Sequence, residues 1–444
     1  MKKIIFFLAC LLPFITQAQK NISDSADKAW FPEAKFGVFI HWMLDGISYD
    51  SLCADYKKFS PLVAASAQKF TAANFNPGFW AEQFKSWGAK YVVITTKHHI
   101  GFSLYDCDGK DFSAAKASPA KRDLLKEYAD AMRAAGLKVG FYFSLPDAMN
   151  PDYCSIVMNE KSVDWQNSDF GRWQKFTNQM LAEIRHLCIN YGTVDLFWFD
   201  GDWERTAELW RSFDIADTIR KYQPHAVINN RLRHIELGDY TTPEMVLPVN
   251  KPVWNSGWFE LCTTLGYNWN GPDAFKNLKN PAELVRIFGD MISIGGNVLL
   301  NISPDYTGKI SDEQIEKMSE LGKWITSHSE AIYGAKPGLP HGLFNGASTH
   351  KGSTIYLIAY ETAPELVVKN LEGEIESITH LKTGTPLKWR NMADYHSENN
   401  TKGWRFITLP DNLREEFATV IKIKFKDKKV TIKAPTGESI IWMD

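Results

Sequence analysis

From about Phe36 to Tyr333 the chain alternates short apolar runs with longer stretches in which apolar residues recur at helical spacing. Gly37 to Trp42, Tyr91 to Lys97, Val139 to Ser144, Val194 to Asp200, Ala226 to Asn229 and Asn297 to Ile302 are short, rich in Val, Ile and Phe, and not strictly alternating. That is the pattern of strands buried on both faces. Lys121 to Ala135 and Phe170 to Cys188 read as amphipathic helices, the second through Phe170, Trp173, Phe176, Met180, Ile184 and Leu187. Strand-then-helix units repeated over roughly 300 residues predict an α/β fold, a parallel sheet closed into a (β/α)8-like barrel. An open doubly wound sheet is the second possibility.

The pattern changes after Ala335. Lys336-Pro337-Gly338-Leu339-Pro340 reads as a linker, and Ser353 to Tyr360, Ile375 to Leu381 and Ala418 to Phe425 then alternate apolar with polar. Ile421, Ile423 and Phe425 face one way while Lys422 and Lys424 face the other, as in a half-buried strand. A C-terminal antiparallel β-sandwich is predicted over residues 336–444, after a barrel over 19–335.

Residues 1–18 stand apart. Met1-Lys2-Lys3, the apolar Ile4 to Ile15 and the closing Thr16-Gln17-Ala18 have the three regions of a secretory signal peptide, so the expectation is export to the periplasm or the medium. That apolar run is too short to span a bilayer, and no later one is longer. Five cysteines follow it, an odd number without Cys-x-x-Cys spacing, which suggests buried thiols and not a zinc site or a disulfide framework. A formal net charge of -2 argues against a nucleic-acid backbone as partner. The 16 Trp and 16 Tyr are core filler that also provides flat platforms for sugar rings.

In a parallel barrel the C-terminal strand ends gather at one face, so polar residues there are the candidates for chemistry. They are His41 and Trp42 after the first run, His98 and His99 after the second, Tyr142 near the end of the third, Asp200 at the end of the fourth and Arg231 after the fifth; Glu244 and Glu260 follow in expected loops. Asp200 stands out because Val194 to Phe199 deliver it to the rim of a core and Gly201 turns the chain at once. Each has a plainer reading alone: Asp200 as a helix cap, Asp202 as a solvated turn residue, Tyr142 and Trp198 as core, Glu244 as loop surface. His98 and His99 are adjacent, and strand alternation would point them to opposite faces, which disfavours one shared metal.

Six motifs decide between these readings. Lys35-Phe36-Gly37-Val38-Phe39-Ile40-His41-Trp42, Thr96-Lys97-His98-His99-x-Gly101-Phe102, Lys121-Arg122-Asp123, Trp198-Phe199-Asp200-Gly201, Asn230-Arg231 and Gly295-Gly296-Asn297-Val298-Leu299-Leu300-Asn301 occur in one order. Over roughly Trp30 to Tyr333 the chain thereby resembles the α-L-fucosidases of glycoside hydrolase family 29, and several spaced motifs are specific where one would be weak. The resemblance implies a barrel with a C-terminal sandwich, and exo-acting, retaining hydrolysis of terminal α-L-fucosides on oligosaccharides or glycans. It implies Asp200 as nucleophile and His41, Trp42, His98, His99, Tyr142, Trp198 and Arg231 as the sugar-binding shell. Glu244, in Asp239-Tyr240-Thr241-Thr242-Pro243-Glu244, resembles the segment that carries the acid/base in some members, with Glu260 as the alternative. The chemistry calls for no metal or organic cofactor.

Three positions depart from the family pattern. Ala54-Asp55-Tyr56 stands where many members read Glu-Trp-Tyr, Ile100 replaces an Asp in Lys-His-His-Asp-Gly, and Leu265 precedes Gly266-Tyr267-Asn268 where an aromatic often lies near the deoxy methyl group. A smaller residue there would admit a hydroxymethyl group, making an α-L-galactoside the variant substrate. A non-catalytic carbohydrate-binding protein on the same scaffold is the rival from another class.

Overall fold

The computed structural model describes residues 26–46, 48–153, 170–360, 363–392, 403–427, 429–433 and 439–443; the expected signal segment and Cys154 lie outside them. Seven strands form one parallel sheet: β1 (Phe36–Ile40), β2 (Tyr91–Lys97), β3 (Lys138–Ser144), β4 (Leu196–Asp200), β5 (Val227–Ile228), β6 (Glu260–Thr264) and β7 (Asn297–Ile302), in the order β5-β4-β3-β2-β1-β7-β6. The gap between β5 and β6 is bridged by residues 240–244. Parallel bridges join Asn229 to Tyr240, Thr241 to Phe259 and Glu244 to Cys262, so this segment takes the eighth place and the sheet curls into the expected barrel.

Alternation within the strands makes two apolar layers. Phe39, Tyr142 and Trp198 point into the barrel, where they meet Tyr91, Tyr240 and Leu299. Val38, Ile40, Phe141, Phe197 and Phe199 point outward into the larger core beneath the helices. Fully burying a side chain of this size stabilises the fold by about 1.5–3 kcal/mol, which fixes strand register firmly because a slip of one residue exchanges the layers.

The helices follow from the same patterning and from their caps. Phe170–Asn190 buries Trp173, Phe176, Met180, Ile184 and Leu187 as expected, whereas Phe170, its first residue, is exposed. Leu124–Ala134 starts later than its apolar pattern suggests because the Asp123 carboxylate accepts the Lys126 amide at 2.9 Å and so caps the helix.

Beyond the barrel lies a five-stranded antiparallel sheet in the order Ile375–His380, Thr419–Phe425, Thr354–Ala359, Ala347–Lys351, Lys336–Pro337, accompanied by two three-stranded antiparallel sheets. Lys336 and Pro337, read as linker, pair with His350 and Thr349 and open the first of these strands. One face of the five-stranded sheet joins the barrel core through Tyr356, Ile358 and Val420. The other encloses a separate core around Ile355, Leu357, Ile421 and Ile423. Among the described residues no helix is long and apolar enough to cross a membrane.

Candidate active site

Asp200 is the last residue of β4, and Gly201 follows it at φ +80°. A Cβ on Gly201 would lie 2.2 Å from Pro146 Cδ, so only glycine turns the chain there without displacing its neighbours. The aspartate is 9 % exposed and three groups converge on it. The Tyr142 hydroxyl donates to Oδ2 at 2.9 Å, an Arg231 terminal nitrogen donates to Oδ1 at 2.7 Å, and His99 Nε2 lies 3.5 Å from Oδ2. Burial, seconded by Asp200, raises the Tyr142 phenol well above its ordinary pKa, so it stays a donor.

Arg231 organises the site. Its other terminal nitrogen donates to Glu244 Oε2 at 2.6 Å and its Nε to Thr242 Oγ1 at 3.1 Å, while Asn230 Oδ1 accepts from Thr242 in turn. Burial works against the guanidinium's charge, but Asp200 and Glu244 outweigh it and move its pKa further above the usual range. Two carboxylates thus grip adjacent arms of one planar fork. That spacing is on the scale of the roughly 5 Å that a double displacement requires between its carboxyl groups. The Glu244 side chain is 39 % exposed and so opens to solvent.

Three histidines line the other side. His41 is fully enclosed, with Nδ1 2.6 Å from Asn301 Oδ1, and its pKa is pushed down to about 3 by burial and then by His98. His98 stacks on Tyr142 at 5.5 Å and 8°, and His98 and His99 lie 4.3 Å apart ring to ring. Burial and the neighbouring imidazoles lower both, which leaves all three rings neutral; His41 spends its Nδ1–H on Asn301 and keeps the Nε2 lone pair as an acceptor. A cavity of about 400 Å³ adjoins His98, walled by Asp45, Tyr49, Ile100, Asn268 and Asn270.

Several expectations change. His98 and His99 do not point apart, because β2 ends at Lys97 and alternation ends with it; one ligand atom each from His98, His99 and Asp200 lie within 4.8 Å of one another. Trp42 is not at the site. It is 1 % exposed among Phe70, Phe75 and Trp80 in the outer core, and its indole N–H bonds the Asp305 carbonyl at 2.7 Å. Trp198 lies inside the barrel beneath Arg231, whose guanidinium carbon stands 4.4 Å from its ring centre. Glu260 is not a loop acid either: it opens β6 with no exposed surface, accepting from Tyr91 Oη at 2.5 Å and Trp198 Nε1 at 3.0 Å. Leu265 is 1 % exposed in the outer core, which removes the steric basis for admitting a hydroxymethyl group at that position. Ala54 is exposed on the helix Tyr49–Ala54.

Trp269, absent from the candidates above, packs on His41 with ring centres 4.9 Å apart and planes tilted by 36°, and Asn301 Nδ2 donates to its carbonyl at 2.8 Å. The signals were present in Gly266-Tyr267-Asn268 just before it and in the last residue of the Gly295 to Asn301 motif. Asp202 begins the short turn after Gly201, where burial raises its carboxyl, but the donors gather on Asp200.

Known proteins agree with this geometry. A family profile described as "Alpha-L-fucosidase" matches residues 47–330. Human tissue α-L-fucosidase is 30% identical over 434 residues, covering 89% of this chain and 88% of that protein. The α-L-fucosidase isoenzyme 1 of Paenibacillus thiaminolyticus superposes with a TM-score of 0.78 at 31% identity, covering 90% of this chain and 99% of that one. A Bacteroides thetaiotaomicron family 29 α-L-fucosidase, solved as a trapped covalent intermediate with 2-fluoro-fucosyl fluoride, superposes at 0.75 with 25% identity, covering 90% and 96%. With its barrel, its paired carboxylates and these relatives, the chain belongs to the α-L-fucosidases of glycoside hydrolase family 29.

Proposed function

We propose that this glycoside hydrolase removes terminal α-L-fucosyl units from oligosaccharides or glycans by double displacement, with Asp200 as nucleophile and Glu244 as acid/base. The observation that carries the assignment is the shared guanidinium: Arg231 bonds Asp200 at 2.7 Å and Glu244 at 2.6 Å. In the first step an Asp200 oxygen attacks the anomeric carbon, the glycosidic bond breaks, and Glu244 gives its proton to the leaving oxygen. In the second, Glu244 takes a proton from water, which attacks the same carbon and expels Asp200, so the configuration is retained.

One negative charge is present on the carboxyl pair before each step. It sits on Asp200 while Glu244 holds its proton, then on Glu244 while Asp200 is esterified. Arg231 faces whichever group is charged, so no charge has to be reorganised from solvent. His41, His98, His99 and Trp269 supply the neutral donors, acceptors and flat face that a small sugar requires.

The test is Glu244→Ala assayed on aryl α-L-fucosides. Loss of a general acid costs about 10²- to 10⁴-fold on a phenyl leaving group and far less on a nitrophenyl one, and azide restores turnover by attacking the fucosyl-enzyme in place of activated water. Equal losses on both substrates without azide rescue would remove Glu244 from this role.

A further inference from the structure

Glu260 is a fully enclosed carboxylate that the reaction as written does not use. It stands at the start of β6, paired in register with Asn297, whereas Asp200 stands at the end of β4. One of its oxygens accepts the Trp198 indole N–H at 3.0 Å and the other accepts the Tyr91 hydroxyl at 2.5 Å.

Trp198 is two residues before Asp200 on the same strand, and both groups that donate to Asp200 rest on it. Tyr142, its register partner on β3, stacks on the indole at 5.5 Å and 20°. Arg231, from beyond β5, lays its guanidinium 4.4 Å over the same ring. A tilt of the indole therefore moves the phenol and the guanidinium together, and with the guanidinium its second partner, Glu244.

We propose that Glu260 is a positioning residue for the fucosidase reaction: by anchoring the Trp198 indole from below, it sets the geometry of Tyr142 and Arg231 on the nucleophile Asp200. This rests on the double-displacement reading above and adds a residue to it. Glu260 touches no reacting atom, since Trp198 and Tyr91 enclose it and it has no exposed surface. The ionisable groups that face it are Tyr91 from β2, Tyr240 from the eighth strand position, Cys262 on its own strand and Arg231 above Trp198. Burial outweighs them and brings its carboxyl up to about 7. In either protonation state one oxygen remains free to accept the indole N–H.

The experiment compares wild type, Glu260→Leu, which removes both acceptor oxygens, Trp198→Phe and the double variant on nitrophenyl and phenyl α-L-fucosides, with and without azide. Each single change is expected to lower kcat at least tenfold while KM moves less than threefold. The loss should be the same for both leaving groups, azide should not rescue it, and the double variant should be no worse than the poorer single one. Trp198→Phe keeps a six-membered aromatic face for Tyr142 and Arg231 and removes the N–H together with the five-membered part of the indole, so it breaks the link with Glu260 intact even if Glu260→Leu folds poorly. Losses confined to the phenyl substrate with azide rescue would make Glu260 the acid/base, and multiplying losses or undiminished activity in either single variant would show the link to be irrelevant; all three overturn the proposal. A wild-type enzyme without turnover would overturn the double-displacement reading and this one with it.

Discussion

At the scale of single residues, the site is a set of ionisable groups whose environments push them in opposite directions. Burial lowers His41 to about 3 and raises Glu260 from its ordinary 4.5 to about 7. Between pH 4.5 and 7 the folded chain therefore holds a proton on Glu260 that the unfolded chain has released. Stability from this group falls as pH rises through that window and is level above it. His41 acts the other way, since its folded pKa is depressed and its contribution is lost as pH falls from 6.5 towards 3. Comparing Glu260→Gln with wild type cancels the histidine contribution. The stability difference, variant minus wild type, should rise by on the order of 3 kcal/mol from pH 4.5 to 7, read by denaturant titration at each pH; a flat difference would show that Glu260 is ionised throughout. Asp200, Tyr142 and Arg231 were legible in the sequence because each lies at or just past the end of an apolar run. Trp42 was misread for the same reason: past a strand end the chain turns, and position alone does not say whether a side chain faces the barrel mouth or the helices.

At the scale of elements, two of the eight barrel positions were not visible. Residues 240–244 (Tyr-Thr-Thr-Pro-Glu) and β6 (Glu-Leu-Cys-Thr-Thr) are too polar to read as buried strands, yet Glu260, Thr263 and Thr264 are buried. Their polarity is used inside: Glu260 meets Trp198 and Tyr91, and the Thr264 hydroxyl bonds the Gly266 carbonyl at 2.6 Å. Placing Glu244 at the end of an eighth strand position turns a presumed surface glutamate into the partner of Asp200. The turn after β4 matters as much. Gly201→Ala would force a Cβ into αL backbone, at about 1–2 kcal/mol, and against Pro146 at 2.2 Å. A loss of a few kcal/mol in stability and at least tenfold in kcat is expected, because a shift of about 1 Å in a group that reacts with the substrate, the role proposed for Asp200, is costly. Unchanged thermal unfolding and kinetics in this variant would show that the turn relaxes freely.

At the scale of the whole molecule, the sandwich was foreseen from alternating strands after residue 335, but its attachment was not, because interdomain packing leaves no periodic trace. Trp324, from the helix Asp312–Ser327, donates its indole N–H to the Ala418 carbonyl at 2.9 Å and packs on His328 with ring centres 4.8 Å apart, and His328 Nε2 meets Glu415 at 2.9 Å. Tyr356 and Tyr360 reach Glu330 and Asp290 at 2.9 and 3.0 Å. These contacts brace the helical layer on the side of β7 and lie away from Asp200. Trp324→Ala is expected to cost about 3–5 kcal/mol of stability while kcat changes less than about twofold at a temperature where the variant is folded. A large fall in kcat without loss of stability would mean that the sandwich acts on the chemistry.

The central claim, that Asp200 carries the sugar between the two steps, is tested most directly by trapping the intermediate. The protein is treated with 2-fluoro-fucosyl fluoride, whose fluorine slows hydrolysis of the ester, and its peptides are mapped by mass spectrometry. The account predicts one fluorofucosyl group on the peptide containing Trp198-Phe199-Asp200-Gly201, placed on Asp200 by fragmentation and absent from Asp200→Ala. An adduct on Asp202, Glu244 or Glu260 would contradict it, as would continued turnover of aryl α-L-fucosides by Asp200→Ala.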